Sequence, residues 1–360
     1  MVRTNLIKFG VDHATNSTLL MYDLDAITKS ALLADSLNYD GIFFMDHLNW
    51  TPTNSQIANN WIFLSSLINR IKKSTLGILV TDPHRNHPAI LAQMHATLDF
   101  LTDGRFILGI GAGEGANINQ YGIKWDRPVS RLKEAIEVMQ ELWNAKSNRR
   151  ANYNGEFFTL KDAFLQIKFK KSPQLWVAGN GTKTRELTAK YGTGWFPNSI
   201  PQKIYRRWSS EINDMAEKFG RKNTDIVHAY QIYIYLSEDE NAAFNTLRPI
   251  MTVFSMKEEI IKEFNLKFPQ NMNFHKMMTH NTLLGMKKAQ RKVFDYSQYV
   301  PDSILKDMCA FGPVDNIISK LEDFIKAGVE YFVLMFIGNN YYEQIKEFSS
   351  KIIPYFQEYK

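Results

Sequence analysis

Three side chains capable of acid–base chemistry follow short apolar runs of the sequence. Asp12 comes directly after one run, His47 follows Asp46 after a second, and Glu114 lies in a glycine-rich segment after a third. A carboxyl group in an apolar pocket can have a raised pKa and donate a proton, and a histidine exchanges protons near neutral pH. Asp12, His47 and Glu114 are therefore the predicted catalytic residues. The alternative is that each only stabilises a strand end or loop through hydrogen bonds.

Two glycine-rich turns predict a bound cofactor. The first is Gly111-Ala112-Gly113-Glu114, and the second is Gly179-Asn180-Gly181-Thr182. Glycines leave backbone N–H groups open to a ligand, which suits a phosphate or a flat ring system. The second turn precedes a predicted helix, whose free N–H groups favour an anion. The alternative at this turn is that Thr182 caps the helix and the glycines serve only the turn.

A dinucleotide-binding fingerprint is the rival interpretation of the first turn. Gly111 to Ala116 satisfies the pattern G-x-G-x-x-A after a strand. The pattern follows the fourth predicted strand rather than the first, and Glu114 would place a carboxylate beside a pyrophosphate. The next strand also ends in Gly179 instead of an acidic residue. The context therefore disfavours this fingerprint, and no G-x-S-x-G or P-loop pattern points to a serine hydrolase or an NTPase.

Apolar runs alternate with amphipathic segments almost from end to end, which is typical of βα units. The predicted strands are Ile7–Val11, Gly41–Met45, Thr75–Val80, Arg105–Ile110, Gln174–Ala178, Gly194–Phe196, Ile226–Ile234 and Tyr331–Phe336. The predicted helices are Leu24–Leu37, Ile57–Ile71, Pro88–Leu101, Val129–Trp143, Thr184–Tyr191, Lys203–Phe219, Val314–Ala327 and Tyr341–Phe356. Eight such units predict an α/β fold of the (β/α)8 TIM-barrel type, with a doubly wound sheet as the rival fold. In a barrel, the polar strand ends meet on one face.

We expect residues 1–360 to form one barrel domain with two insertions. Residues 144–172 follow the fourth long helix, and their pattern predicts a hairpin. Residues 242–308 follow the seventh strand, and their composition predicts helices. Insertions of this length are usually structured or functional. The single cysteine, Cys309, excludes an internal disulfide and reads as a small core residue.

Composition indicates a small-molecule enzyme rather than a nucleic-acid or membrane protein. Hydrophobic residues make up 44% of the chain, and the net charge of +6 comes from scattered lysines and arginines without a basic stripe. No apolar run approaches the roughly 18 residues of a membrane helix, and the N-terminus lacks a signal-peptide pattern. We expect a cytoplasmic protein. His13, His84, His87 and His95 have no metal-ligand spacing, so we predict no metal site.

Motifs along nearly the whole chain, the two insertions excepted, resemble the luciferase-like superfamily, and within it the oxidoreductases that use the deazaflavin coenzyme F420. Several motifs in the family's order make this resemblance specific. They are Asp46-His47, Gly77 to Pro83 with His87-Pro88-Ala89, Ala96 to Asp99, Gly104-Arg105, Gly109 to Glu114, Trp125 to Leu132, Val177 to Gly181, Gly312 to Asp315 and Gly328-Val329.

The resemblance implies a cofactor site around the ends of the strands. It implies a non-prolyl cis peptide at Leu79–Val80, so that Leu79, Val80 and Thr81 back the deazaflavin ring. Asp46 would lie at the ring and the sugar-like chain of the cofactor. The two glycine-rich turns would hold its tail and phosphate, through Ala112, Gly113, Glu114, Gly179, Asn180, Gly181 and Thr182. Trp50 and His13 are the predicted substrate contacts, since an indole can stack on a ring.

Within this branch the chain is most similar to methylene-tetrahydromethanopterin reductase, because Asp12 and Glu114 fall where that family carries acids. The F420-dependent ketoreductases share the style of the hairpin insertion. The sugar-phosphate dehydrogenases match less well, since Pro201 stands roughly where they carry a phosphate-binding lysine. An FMN-dependent monooxygenase and a non-catalytic flavin-binding relative are the alternatives. A homodimer is the expected assembly.

Overall fold

The computed structural model describes residues 6–13, 24–48, 57–268, 296–338 and 340–357. Within those ranges it contains eleven β-strands, nine of which share one sheet. The strands are β1 (Lys8–Asp12), β2 (Gly41–Phe44), β3 (Thr75–Thr81), β4 (Phe106–Ile110), β5 (Ala151–Asn154), β6 (Thr159–Ala163), β7 (Gln174–Ala178), β8 (Gly194–Phe196), β9 (Val227–Leu236), β10 (Cys309–Gly312) and β11 (Tyr331–Phe336).

The large sheet is parallel and closed. Its order is β10-β9-β11-β1-β2-β3-β4-β7-β8, and β8 also pairs with β9, which completes a ring of eight strands. The remaining strand, β10, pairs with the C-terminal part of β9, from Tyr233 to Leu236. The predicted TIM-like barrel is therefore confirmed. An open doubly wound sheet is excluded because the strands close on themselves.

Helices follow the strands as the alternating pattern predicts, and most bounds agree within two residues. They are α1 (Leu24–Ser36), α2 (Asn60–Leu67), α3 (Pro88–Leu101), α4 (Gly115–Ile118), α5 (Pro128–Asn144), α6 (Thr182–Tyr191), α7 (Gln202–Lys218), α8 (Glu240–Ser255), α9 (Glu258–Glu263), α10 (Asp302–Asp307), α11 (Val314–Lys326), α12 (Tyr341–Glu347) and α13 (Ile353–Gln357). The last two are joined by a π-helical turn at Phe348–Ile352.

The predicted helix Ile57–Ile71 is shorter in the structure, where α2 begins at Asn60. Asn59 has an extended backbone, and its side-chain oxygen accepts hydrogen bonds from the N–H groups of Trp61 and Ile62. A cap of this kind fixes the first turn of a helix. The apolar residue Ile57 precedes the cap, and periodicity alone did not distinguish it from a helical residue.

Large rings fill the inside of the barrel below the strand ends. Phe43, Trp176 and Tyr331 point inward and contact one another. Gly41 makes room for two of these rings, since a Cβ atom there would collide with Phe43 and Tyr331. The interior is thus closed by packing. Any ligand site must lie at the strand ends.

The first insertion is the predicted hairpin. Strands β5 and β6 pair antiparallel, and the carboxylate of Glu134 on α5 accepts N–H bonds from Glu156, Phe157 and Phe158 at the hairpin turn. Tyr153 also donates its hydroxyl proton to Glu137 at 2.7 Å. The hairpin is therefore fastened along α5.

The second insertion is helical over its described part. Helices α8, α9 and α10 belong to it, and residues 269–295 lie outside the described ranges. Cys309 is buried at the start of β10, as expected for a core residue. None of the described helices has the length and apolar character needed to cross a membrane.

Candidate active site

Two groups of polar residues meet at the carboxyl ends of the barrel strands. One group follows β2 and β3 and contains Asp46. The other lies on β1, β9 and the turn after β4, and it contains Asp12, Tyr233 and Glu114. The two groups differ in whether their polar atoms already have partners inside the protein, and this difference decides what each can do.

The carboxylate of Asp46 is surrounded by donors. Its Oδ2 accepts hydrogen bonds from Trp61 Nε1 at 3.0 Å, from Thr81 Oγ1 at 2.7 Å and from Arg85 at 3.1 Å. Its Oδ1 accepts a further bond from Arg85 at 3.1 Å. Arg85 also binds the Asp46 carbonyl oxygen at 2.6 Å and Asp82 Oδ2 at 2.7 Å. We call Asp46, Thr81, Asp82 and Arg85 the satisfied cluster. Its carboxylates act as a scaffold, although Asp46 was predicted to contact the cofactor.

Asp12 has the opposite environment. It is 2% exposed, Gln231 Nε2 donates to its Oδ2 at 3.2 Å, and its Oδ1 has no hydrogen-bond partner among the described residues. Burial raises the pKa of Asp12 to about 8, because the single hydrogen bond from Gln231 offsets only part of the desolvation. Asp12 is therefore a neutral acid at pH 7, with a proton to give.

Glu114 is the second acid of this group, and it interacts with a lysine of the second insertion. Burial raises the pKa of Glu114, Lys257 opposes that change, and Asn117 donates a hydrogen bond to Glu114 Oε2 at 3.0 Å. Lys257 lies between α8 and α9, and burial lowers its pKa to about 7. Lys257 also donates to the Ser199 carbonyl oxygen at 3.4 Å. The insertion thus brings an amine group that titrates near neutral pH into the barrel mouth.

His47 is close to Asn117, whose amide nitrogen lies 3.4 Å from His47 Nδ1. Burial and the nearby Arg85 lower the pKa of His47 to about 4, although Asp46 and Asp82 act in the other direction. The imidazole is therefore neutral at physiological pH. If the Asn117 nitrogen donates to Nδ1, the ring proton is on Nε2. A neutral His47 suits hydrogen bonding better than proton donation.

We call Asp12, Gln231, Tyr233 and Glu114 the unsatisfied cluster. Tyr233 is 6% exposed, and its phenol lies close enough to Asp12 and Glu114 for both carboxyl groups to raise its pKa beyond the effect of burial. Its ring packs on Phe254 of α8, with 5.5 Å between the ring centres. This cluster joins three elements that are far apart in sequence.

The first glycine-rich turn contacts the loop after β3. The N–H of Gly111 donates to the Thr81 carbonyl oxygen at 2.9 Å, and Trp125 Nε1 donates to the Ala112 carbonyl oxygen at 3.0 Å. Gly113 has a φ of +73°, and a Cβ atom there would lie 3.0 Å from Asp82. Glycine is therefore required at this position for backbone geometry as well as for space.

The second glycine-rich turn leaves the N-terminus of α6 open. Gly181 is the N-cap residue, no side chain caps the helix, and the first turn carries no acidic residue. The predicted alternative, a cap by Thr182, is wrong, because Thr182 is already the first helical residue. Asn180 Oδ1 is buried without a partner among the described residues. Open N–H groups at a helix N-terminus fit a phosphate, so this turn is suited to the phosphate of a cofactor.

The end of β3 has the cis peptide bond at Leu79–Val80 that the resemblance implies. The register between β3 and β4 shifts there, between Ile78 and Thr81. Leu79 is buried inside the barrel and Thr81 is bound to Asp46, whereas Val80 is only partly buried. Val80 is thus the side chain of the three that is available to a flat ring.

Of the two predicted substrate residues, only His13 belongs to the described part of the chain, and it lies away from the strand-end groups. Successive strand residues point to opposite faces, so Asp12 points inward while His13 points outward. His13 Nδ1 lies 2.9 Å from Ser30 Oγ on α1 and 3.1 Å from the Tyr341 hydroxyl on α12. Its place is therefore between the barrel and its helices, and we remove it from the site. Trp50 lies outside the described residues.

Sequence reasoning missed several residues of the site, namely Arg85, Asn117, Gln231, Tyr233 and Lys257. Gln231 had a usable signal, since it is a polar residue within an apolar strand. Lys257 had no such signal, because nothing in the sequence of the second insertion indicated where this segment would pack. In the described ranges, His, Cys, Asp and Glu side chains form no group of three that could hold a metal ion.

Comparisons with known proteins agree with the barrel fold. The model of the "Luciferase-like monooxygenase" family matches residues 6–331. A phthiodiolone/phenolphthiodiolone dimycocerosates ketoreductase of Mycobacterium bovis is 27% identical over 282 residues, which cover 76% of this chain and 73% of that protein.

Solved structures share the fold at lower sequence identity. An F420-dependent secondary alcohol dehydrogenase in complex with an F420–acetone adduct is 22% identical, with a TM-score of 0.78 over 96% of this chain and 98% of that one. The coenzyme F420-dependent tetrahydromethanopterin reductase of Methanopyrus kandleri is 18% identical, with a TM-score of 0.76 over 98% of this chain and 99% of that one.

Proposed function

The chain belongs to the luciferase-like monooxygenase family, and we propose that within this family it is a coenzyme F420-dependent oxidoreductase acting on a carbonyl or alcohol carbon. The observation that carries this proposal is the buried carboxyl group of Asp12. One of its oxygen atoms has no partner among the described residues, and the group is neutral at pH 7. Carbonyl reduction needs a proton donor of this kind beside the carbon that accepts hydride. The ketoreductase and alcohol dehydrogenase relatives support the same substrate class.

The chain offers residues that fit the proposed cofactor. The open N-terminus of α6 and the buried Asn180 amide suit its phosphate and polar tail, and Val80 suits its ring. When bound, the deazaflavin supplies the hydride. Gly111, Gly113 and Glu114, which follow β4, would line the bound cofactor. Positioning of the two reactants in one closed pocket contributes most of the rate.

Each acid–base residue has a separate role in this proposal. The proton of Asp12 goes to the substrate oxygen as the neighbouring carbon accepts hydride. His47 is neutral and donates a hydrogen bond, while Glu114 and Lys257 set the charge at the opposite side of the pocket. In the direction of alcohol oxidation, the ionised form of Asp12 accepts the proton. Because the pKa of Asp12 is about 8, reduction slows and oxidation accelerates as the pH rises through that value.

Reduction of a methylene-pterin is the second candidate function. Asp12 again favours it, since an acid on the first strand can protonate a ring nitrogen and so open a methylene bridge to an electrophile. The tetrahydromethanopterin reductase has a similar fold, which supports this second candidate. Assaying a ketone panel and methylene-tetrahydromethanopterin with the same F420-loaded protein separates the two candidates.

Cofactor choice is tested by titration of the purified protein with F420 and, separately, with FMN. We expect F420 to bind, seen as a change in its fluorescence, and its absorbance to change on adding a substrate. Tight binding of FMN with no response to F420 would contradict the proposal and favour an oxygen-dependent monooxygenase.

The phosphate site has a sharper test at Gly181. Gly181→Asp places a carboxylate at the N-terminus of α6, where it caps the helix but repels a phosphate. We expect F420 affinity to fall about tenfold or more while the unfolding temperature stays equal or rises. Gly181→Asn is the matched control, since it caps without charge. Equal F420 affinity in the two variants would place the phosphate elsewhere.

A further inference from the structure

The hydroxyl group of Tyr233 has no hydrogen-bond partner among the residues that the structure describes, although the residue as a whole is only 6% exposed. Its oxygen does not belong to the fully buried atoms that lack a partner, so it keeps an accessible surface. A polar atom that lines a largely buried site without a protein partner is available to a ligand.

The position of Tyr233 places its side chain beside the catalytic acid. Gln231 and Tyr233 are two residues apart on β9, so both point into the barrel. Gln231 Nε2 contacts Asp12 Oδ2 at 3.2 Å and Met335 Sδ at 2.9 Å. Tyr233 pairs in register with Met335 on β11, which is the strand next to β1. Tyr233 therefore lies one layer above Gln231, toward the mouth, and close enough to Asp12 for that carboxyl group to act on its phenol.

The second insertion holds Tyr233 in place from above. Phe254 at the end of α8 packs on its ring, and the ammonium group of Lys257 lies 5.0 Å from the centre of the Phe254 ring. Lys257 in turn interacts with Glu114 across the mouth. The phenol ring thus lies between the barrel wall and the insertion.

We propose that Tyr233 is a specificity-determining residue, and that its hydroxyl together with the free Asp12 Oδ1 receives one uncharged oxygen atom of the substrate. This inference rests on the proposed function and names the group that the site selects. A ketone or secondary alcohol oxygen can bind both groups at once. A carboxylate or phosphate at this point would lose its water shell beside largely buried residues, and desolvation disfavours the charged group.

The reaction balances with these two residues in fixed roles. On reduction, the carbonyl carbon gains the hydride supplied by the reduced deazaflavin, and the carbonyl oxygen gains the Asp12 proton. The C=O π bond breaks, a C–H and an O–H bond form, and Asp12 is left as a carboxylate that regains a proton from water. Tyr233 keeps its own proton and donates a hydrogen bond throughout. Removing it leaves the acid in place but loses one of the two groups that orient the oxygen.

The test compares Tyr233→Phe with Tyr39→Phe in the F420-loaded protein. Tyr39 is also buried, but its hydroxyl donates to the Ile345 carbonyl oxygen outside the strand ring. We expect Tyr233→Phe to lower kcat/KM for cyclohexanone about ten- to a hundredfold and to leave F420 affinity and the unfolding temperature unchanged. Tyr39→Phe should lower the unfolding temperature and leave kcat/KM unchanged. A kcat/KM within twofold of the wild type, or an unfolding temperature lowered as in Tyr39→Phe, would overturn the inference.

A binding measurement keeps the inference separate from the proposed function. Calorimetry with cyclohexanecarboxamide, an uncharged carbonyl compound, should show about tenfold weaker binding to Tyr233→Phe than to the wild type, and cyclohexanecarboxylate should bind neither. Equal or absent binding of the amide in both proteins, or preference for the carboxylate, would overturn the Tyr233 inference. The proposed function itself fails on a different result, namely no change in F420 absorbance with any ketone, alcohol or methylene-pterin.

Discussion

Asp46 and Asp12 follow neighbouring strands of one barrel, and both are buried, yet their surroundings are opposite. Asp46, in the satisfied cluster, accepts hydrogen bonds from Trp61, Thr81 and Arg85. Asp12, in the unsatisfied cluster, has one donor and a free oxygen. Burial raises the pKa of Asp12 to about 8 because no cation or group of donors compensates it.

This difference in hydrogen bonding gives the two carboxyl groups at the barrel mouth different properties. A carboxylate whose oxygens accept hydrogen bonds from several elements holds loops together. A carboxyl group with an unbound oxygen stays protonated and can exchange its proton with a substrate. We therefore propose that the satisfied cluster serves the fold and the unsatisfied cluster serves the chemistry. The predictions below disturb one cluster at a time.

The largest expected effect is on catalysis, from Asp12→Asn. The amide keeps the shape of the side chain but has no acidic proton, so we expect turnover of a ketone substrate to fall by about two to four powers of ten. Asp35→Asn is the control for replacing a buried carboxyl group, since Asp35 accepts N–H bonds from Lys72, Lys73 and Ser74 away from the site. It should lower stability and leave turnover unchanged. Full activity of Asp12→Asn would remove Asp12 from the mechanism.

The satisfied cluster is disturbed by Arg85→Met. This variant leaves Asp46 and Asp82 as buried carboxylates without their cation, and we expect the free energy of unfolding to fall by about 3–5 kcal/mol. Urea unfolding measures the loss. Lys262→Met breaks the exposed pair with Glu258 and should leave the free energy of unfolding almost unchanged. Similar losses in the two variants would contradict the structural role of Arg85.

The pH dependence of stability separates the two clusters further. The pKa of Asp12 rises from 3.8 to about 8 on folding, so between those values the folded protein binds a proton that the unfolded chain has released. Its contribution to stability therefore falls as the pH rises, by up to about 1.4 kcal/mol per pH unit. We therefore expect the free energy of unfolding of the wild type, measured at pH 5, 6 and 7, to fall relative to that of Asp12→Asn as the pH rises. A constant difference would mean that Asp12 is ionised in the folded protein.

The smallest effect is expected from Thr81→Val. This variant removes one of the hydrogen bonds to Asp46, while Trp61 and Arg85 keep theirs. We expect a loss of about 0.5–1.5 kcal/mol in the free energy of unfolding. A loss as large as that of Arg85→Met would show that Trp61 and Arg85 do not keep Asp46 hydrogen-bonded when Thr81 is replaced.

The strands could be predicted closely because burial imposes a continuous apolar pattern on them. Gln174–Ala178, Gly194–Phe196 and Tyr331–Phe336 have the predicted bounds. Helix α2 was less predictable, because a capping asparagine rather than the apolar pattern sets its start. The hairpin and helical nature of the two insertions were also predicted, since each had its own turn or helix signals.

The site was predictable only in part. Asp12 and Glu114 could be selected as acids at strand ends, but the partners that determine their pKa come from distant parts of the chain. Gln231 lies 219 residues after Asp12, and Lys257 belongs to an insertion. The resemblance implies that Asp46 lies at the cofactor, which stays a prediction, and nothing local indicated that Arg85 would bind its carboxylate. Hydrogen-bond satisfaction is a property of the folded neighbourhood, and no local pattern encodes it.

The most direct test of the account is the protonation state of Asp12 in the folded protein. Infrared difference spectroscopy of the wild type against Asp12→Asn, recorded over a pH titration, isolates the carbonyl band of this one carboxyl group. We predict a neutral carboxylic acid band at pH 7 that disappears as the pH rises through about 8. A carboxylate band already present at pH 6, with no change up to pH 9, would contradict the division of the barrel mouth into a satisfied and an unsatisfied cluster.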